Sequence, residues 1–193
     1  MQEPLRRFLQ QISSDFDLDG SLMDTPLKSR KLAKGEFLFQ EGEICTFVGL
    51  TLTGCLRMFF LKEGKELTLF FHMEQQALGD YQSFRLQQPA CFSCQAIEDS
   101  EVLILNQQVM HQIETAPDGQ HLMRLLVEGL AFQLRDRLLS LYRDTPEQRY
   151  LHLLQTEPQL LQRIPQHYLA SHLGIEPESL SRLKRRVYQR GVS

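Results

Sequence analysis

The stretch QHYLASHLGIEPESLSRLK, residues 166–184, decides how this chain is read. Leu169 and Leu173 stand four residues apart and share one side of a first helix. Ala170 is small where two helices must approach closely, and Gly174 accepts the positive φ of a sharp turn because it has no Cβ. Ile175 offers an apolar plug in the turn. Pro177 suits the first turn of the next helix, where its missing N–H costs nothing. Leu180 and Leu183 then return to the core side. Five or six positions agree, and their offsets predict a helix-turn-helix. The plainer alternative is a helical hairpin used only for packing.

The second helix of such a motif enters the major groove with its N-terminal residues at base edges. Its outward side is expected to carry Glu178, Ser179, Arg182 and Arg185 or Arg186. An Arg can take guanine O6 and N7 together, and a Glu can accept from cytosine N4. Lys184, Arg186 and Arg190 are assigned to phosphates, and Gln166 and His167, at the start of the first helix, to the DNA backbone. The charge supports the placement. Residues 163–193 carry six Lys/Arg against Glu176 and Glu178, a net +4, which leaves −7 on the remainder of a chain whose total is −3. A basic end on an acidic body offers only that end to a polyanion.

Moving upstream, residues 120–142 contain no Pro and one Gly, and Leu122, Leu126, Leu130, Leu134, Leu138 and Leu141 keep a 3–4 spacing. A second stripe runs through Met123, Val127 and Leu141. This helix is apolar over more of its girth than one packing face needs. It is either buried within its own domain or, in the reading adopted, one face covers the preceding domain while another meets a partner helix. Three base pairs carry too little information for a genome, so a homodimer reading two half-sites is expected. Pro146, capped by Thr145, opens a further helix that Pro158 limits.

From about residue 27 to 106 the texture is different. EFLFQ, FVGLTL, CLRMFFL, LTLFFHM and VLIL are separated by Gly35, Gly42, Gly54, Gly64 and Gly79, which predicts short strands and tight turns. FFLKEGKELTLFF reads as a hairpin with Lys62-Glu63-Gly64-Lys65 at its tip. Turns this closely spaced indicate a sandwich or barrel. Residues 4–13 read as a short amphipathic helix. The whole is an α+β chain: an N-terminal double-stranded β-helix, a jelly-roll-like β-roll, over 1–118, a long dimerisation helix over 119–143, and an all-α helix-turn-helix domain over 144–193 without a clear wing. No apolar run is long enough to span a membrane and the N-terminus lacks a secretion signal, so a cytoplasmic protein is expected.

This layout resembles the Crp/Fnr family over nearly the full chain. The carriers in the β region are Lys34-Gly35-Glu36, Gln40-Glu41-Gly42-Glu43, Gly54-Cys55-Leu56-Arg57 and Gly64-Lys65-Glu66, followed in order by the helix-turn-helix. The resemblance implies a cyclic-nucleotide-binding-like sensor, a homodimer on palindromic double-stranded DNA, and RNA polymerase as a further candidate partner. Leu78-Gly79-Asp80 stands where the family has its phosphate cassette, with Asp80 in place of a Glu. The Arg-Ser pair that holds the phosphate in cAMP-binding members falls on Ala90-Cys91. The effector-pocket candidates are therefore Arg57, Gly79, Asp80, Ala90 and Cys91. A buried phosphate without a cation is costly, so cAMP is expected to bind weakly or not at all; another small-molecule effector is left open.

Cys45, Cys55, Cys91 and Cys94 fit reduced thiols, and no Cys precedes Cys45, where Fnr-type members carry an iron–sulfur cluster. Cys91 and Cys94 form a CxxC near a strand, where alternation sends the sulfurs to opposite faces; structural thiols are preferred over a redox or metal role. The six histidines are scattered, and no phosphate loop, GxSxG elbow or HExxH pair occurs, so no enzyme is expected. The alternative to a regulator is a ligand-binding β-roll that no longer binds DNA.

Overall fold

A computed structural model describes residues 2–14, 16 and 25–189. Helix α1 (Gln2–Ile12) buries Leu5 and Leu9, one turn apart, and leaves its charged side to solvent. The β domain then stacks two four-stranded antiparallel sheets. One runs β1 (Lys28–Leu32), β8 (Ser100–Asn106), β3 (Phe47–Thr53), β6 (Ala77–Leu78); the other runs β2 (Phe37–Phe39), β7 (Ser93–Ala96), β4 (Leu56–Lys62), β5 (Lys65–His72). This is the expected roll. Strands β4 and β5 form the expected hairpin: Lys62 pairs with Lys65, and Glu63 and Gly64 both take positive φ, as a tight two-residue turn requires.

Strand alternation divides the hydrophobic side chains between two cores. Leu56 and Met58 of β4 join Leu38, Phe39, Cys94 and Val102 between the sheets. On the other side of the roll, α1, helix α3 (Gln107–Thr115) and the first turns of helix α4 (Gly119–Arg143) close over Leu50, Leu103 and Leu105. Helix α2 (Tyr81–Leu86) is a single turn and a half after β6.

Helix α4 has 25 residues and its buried side chains all lie in its first turn, ending at Leu122. Beyond it the C-terminal helices assemble by local rules. Thr145 and Gln148 cap α5 (Pro146–Thr156) reciprocally, with Pro146 in the first turn. Pro158 opens α6 (Pro158–Arg163). Helix α7 (Gln166–Leu173) ends at Gly174 with φ +71°, and Ile175 N–H reaches back to Ala170 O (3.0 Å) while Gly174 N–H reaches Ser171 O (3.1 Å). This paired bond pattern is a Schellman stop, in which a left-handed residue satisfies the last carbonyls of a helix. Helix α8 (Pro177–Gln189) follows after one short turn. Leu169, Ala170, Leu173, Leu180, Leu183 and Val187 form the core between α7 and α8, which is the geometry that the spacing of residues 166–184 predicted.

Candidate functional site

Helix α8 is sharply two-sided. Leu180, Leu183 and Val187 are buried, and the opposite side holds Glu178, Arg182, Arg185 and Arg186 in solvent. Ser179, Arg182, Arg185 and Arg186 line one open hollow of about 400 Å³. Residues three and four apart meet on a helix surface, so these guanidiniums form one cationic face. Arg182 reaches Ser179 Oγ at 3.3 Å, and Arg186 shares its charge with Glu147 of α5 at 3.6 Å. Lys184 does not join them: it lies half-buried on the flank, 5.9 Å from the Tyr150 ring, and burial lowers its pKa. Gln166 and His167 are exposed at the start of α7, which has no side-chain cap because Pro165 occupies the cap position. Arg190 lies outside the described residues.

The effector-pocket candidates separate. Gly79 (φ +141°) delivers the chain to Asp80, which is 4% exposed. The Asp80 carboxylate is spent internally. One oxygen accepts the Ser83 N–H (2.9 Å) and caps α2; the other accepts the Cys91 N–H (3.2 Å) and faces the Cys91 thiol at 3.7 Å. Ala90 is buried, with both backbone groups bonded to the turn at Gly42 and Glu43. The nearby Arg85 pairs with Glu114 at 2.6 Å. The Asp80 carboxylate is thus engaged by Ser83 and Cys91, and Ala90 and Cys91, where the resembled family has its phosphate-holding Arg-Ser pair, bring no cation to the site. Between the sheets, Phe39 contacts the rings of Phe47 and Phe92 at 6.4 and 6.0 Å.

Arg57, expected in that pocket, faces away from it. Its neighbours Leu56 and Met58 point between the sheets, so alternation turns Arg57 and Phe59 outward, toward α7. The cysteines also divide. Cys45, Cys55 and Cys94 are buried, and burial pushes the Cys55 thiol up to about 12; Cys91 is exposed. Among the described residues no group of three His, Cys, Asp or Glu side chains is placed to hold a metal ion.

Contacts between the β domain and the helix-turn-helix were the part that sequence reasoning missed. Arg163 of α6, counted above as part of the basic end, is clamped by Glu74 (2.8 Å) and Glu98 of the β domain. Its hydrogen bonds hold the Glu74 carboxyl at about 2, well below the usual range. Ser171 Oγ accepts the Thr68 N–H (2.9 Å) and donates to Glu66 O (2.7 Å), so α7 satisfies the outer edge of β5. Lys65 Nζ meets Glu176 at 2.7 Å. Arg137 and Arg149 donate to the carbonyls of His172 and Leu173, both at 2.7 Å, where cations suit the carboxyl end of α7. Burial and the Arg137 charge keep His172 neutral, with its pKa lowered to about 3.

A β-roll of two four-stranded sheets, a long helix and a helix-turn-helix together define the architecture of a Crp/Fnr-type protein. Residues 29–116 match the family described as the cyclic nucleotide-binding domain, and the chain as a whole has the fold of solved Crp/Fnr-type structures. Three solved structures illustrate the likeness. FixK2 from Bradyrhizobium japonicum is 20% identical, with 86% of this chain and 87% of that one covered and a TM-score of 0.74. The c-di-GMP-responsive global regulator CLP of Xanthomonas campestris is 16% identical, with coverage of 99% and 93% and a TM-score of 0.68. CooA from Carboxydothermus hydrogenoformans, solved as a mutant, is 19% identical, with coverage of 95% and 85% and a TM-score of 0.67. By sequence, no curated protein matches the chain. No described helix is long and apolar enough to cross a membrane.

Proposed function

We propose that the chain is a transcription regulator that binds a palindromic DNA site as a homodimer, with α8 as its recognition helix. The observation that carries this reading is the exposed face of Ser179, Arg182, Arg185 and Arg186 on the second helix of a helix-turn-helix. Arg182, near the start of α8, is assigned to a base edge together with Glu178; Arg185 and Arg186 are assigned to phosphates, with Gln166 and His167 at the DNA backbone. Lys184, on the flank, contributes less.

The dimer reading rests on α4, assigned over 119–143. Leu130, Phe132, Leu134 and Leu138 are 41–55% exposed, and a row of large apolar side chains on one helix calls for a cover. A second copy of the same helix, packed as a coiled coil, supplies one. The roll has its own reading: Ala90 and Cys91 stand where the phosphate-holding Arg-Ser pair would be, and the Asp80 carboxylate is already bonded to the Ser83 and Cys91 amides, so cAMP is expected to bind weakly or not at all.

Selection of random duplex DNA by the full chain tests the proposal. Enrichment of a two-fold symmetric sequence is expected. No enrichment even in dilute salt would leave a ligand-binding roll that does not bind DNA. Leu134→Glu with Leu138→Glu is expected to give a folded monomer that has lost the palindrome.

A further inference from the structure

We infer that Arg57, a residue of the sensor roll remote from the cationic face of α8, is a positioning residue for the helix-turn-helix. The inference rests on the DNA-binding reading above and adds a residue to it.

Arg57 is 1% exposed, and its charge is held by side chains rather than water. Nη2 donates to Glu66 (2.5 Å) and to Gln95 (2.7 Å), and Nε donates to Gln95 at 3.2 Å. Gln95 is fixed in turn by Gly35 O at 2.8 Å. The guanidinium plane is sandwiched: its carbon lies 3.9 Å from the Phe59 ring centre and 3.7 Å from that of Tyr168. Phe59 belongs to the roll and Tyr168 to α7, so one cation joins the two domains face to face. Nη1 is buried without a hydrogen-bond partner. An apolar residue of similar volume would fill this place at no desolvation cost. A stacked guanidinium adds orientation, because its plane fixes the tilt of the ring above it.

The neighbouring contacts share the same direction. Glu66 holds Arg57 with its carboxylate and takes the Ser171 hydroxyl with its carbonyl. Tyr168 and Ser171 stand three apart on α7, so both grip β5 and its neighbour from one helix face. The arginine face of α8 is left free while α7 is fastened to the sheet. On the opposite side of the same strand, Leu56 and Met58 pack between the sheets. Strand β4 therefore touches the roll interior with one face and the helix-turn-helix with the other. A dimer that reads two half-sites needs its recognition helices at a fixed separation, and preformed geometry raises affinity by removing the cost of ordering.

The test uses the full chain as wild type, Arg57→Ala, Arg57→Lys and Tyr168→Leu, the last leaving the roll untouched. DNA is the selected palindrome, intact or with one to three base pairs inserted between half-sites. Arg57→Ala and Tyr168→Leu are expected to bind the intact site about tenfold more weakly. Their salt slope should stay unchanged, since no phosphate contact is lost. Their discrimination against the inserted sites should flatten, which a general loss of stability would not produce. Arg57→Lys is expected to follow Arg57→Ala, because an ammonium cannot stack as a plane. Without DNA, the Thr68 amide, bonded to Ser171, should exchange faster in all three variants. Wild-type affinity and spacing preference in Arg57→Ala, or tighter binding, would overturn the inference. If the wild type binds no duplex, the DNA-binding reading fails by itself. Unchanged Thr68 protection in Arg57→Ala then overturns the coupling as well.

Discussion

The turn at Asp80 and the outward face of α8 both carry charged side chains, and they use charge in opposite ways. At α2 the Asp80 carboxylate folds back onto the Ser83 and Cys91 amides and is 4% exposed. At α8 the guanidiniums of Arg182 and Arg185 point into solvent. A helix N-terminus attracts anions. In the roll the chain supplies its own anion, so the site is closed by covalent connection. On α8 Arg182 and Arg185 face solvent and Arg186 shares its charge with Glu147 at 3.6 Å, so most of that charge is open to a polyanion. The difference teaches that a closed charged site and an open one can be told apart by where each charge is already satisfied.

The widest gap between the two regions should appear on removing charge from each. Replacing Arg182, Arg185 and Arg186 together by Ala is expected to weaken DNA binding by about 1,000-fold or more near 0.1 M salt. The slope of affinity against salt should fall by about 2 for each protomer, one unit for each of the phosphate-facing Arg185 and Arg186. Asp80→Asn in the same assay should stay within about twofold of wild type. Comparable losses in both would erase the contrast.

Acid should act next, on a buried histidine in each region, His72 of the roll and His172 of α7. His72 is buried, and burial lowers its pKa from 6.5 to about 4. The unfolded chain then takes up the proton first, so stability falls as pH drops from 6.5 to 4, by about 3 kcal/mol at most. Glu74, held at about 2 by Arg163, stabilises above pH 4.5 and loses that contribution between 4.5 and 2. The α8 guanidiniums keep their charge throughout. Urea unfolding at pH 7, 5 and 4 should show the decline, and a flat profile would remove both buried histidines, His72 and His172, from the account.

A smaller effect sharpens the assignment within α8. Arg182→Ala should cost roughly 1–3 kcal/mol on the selected site and relax preference at one base pair. Arg185→Ala should weaken all sequences alike, and Lys184→Ala, on the flank beside Tyr150, should do less than either. The smallest effect is a null one. Calorimetry with cAMP should give no binding heat, and micromolar or tighter binding would show that the cassette opens despite Asp80.

The helix-turn-helix was legible because its signals are local. Leu169, Ala170, Leu173, Gly174 and Pro177 act on residues within one or two turns, and the Schellman stop at Gly174 uses only Ala170 to Ile175. The roll was legible through alternation and turns, down to the pairing of Lys62 with Lys65. Arg57 was misplaced because its address depends on register. Sequence marks it as one residue of β4, and only the sheet decides which face it takes. Arg163 was read as part of a basic end because its partners are Glu74 and Glu98, far away in sequence.

What the sequence by itself determined is the set of elements and their order: strands with tight turns, a long apolar helix, and two short helices hinged at Gly174. Spacing and backbone preference act over a few residues, and those are written in linear order. The tertiary structure alone decided that Asp80 is consumed as a cap, that Arg163 faces the β domain, and that Arg57 stacks beneath Tyr168. Hydrogen bonds, ion pairs and ring contacts depend on distances of a few ångströms between residues that only folding brings together.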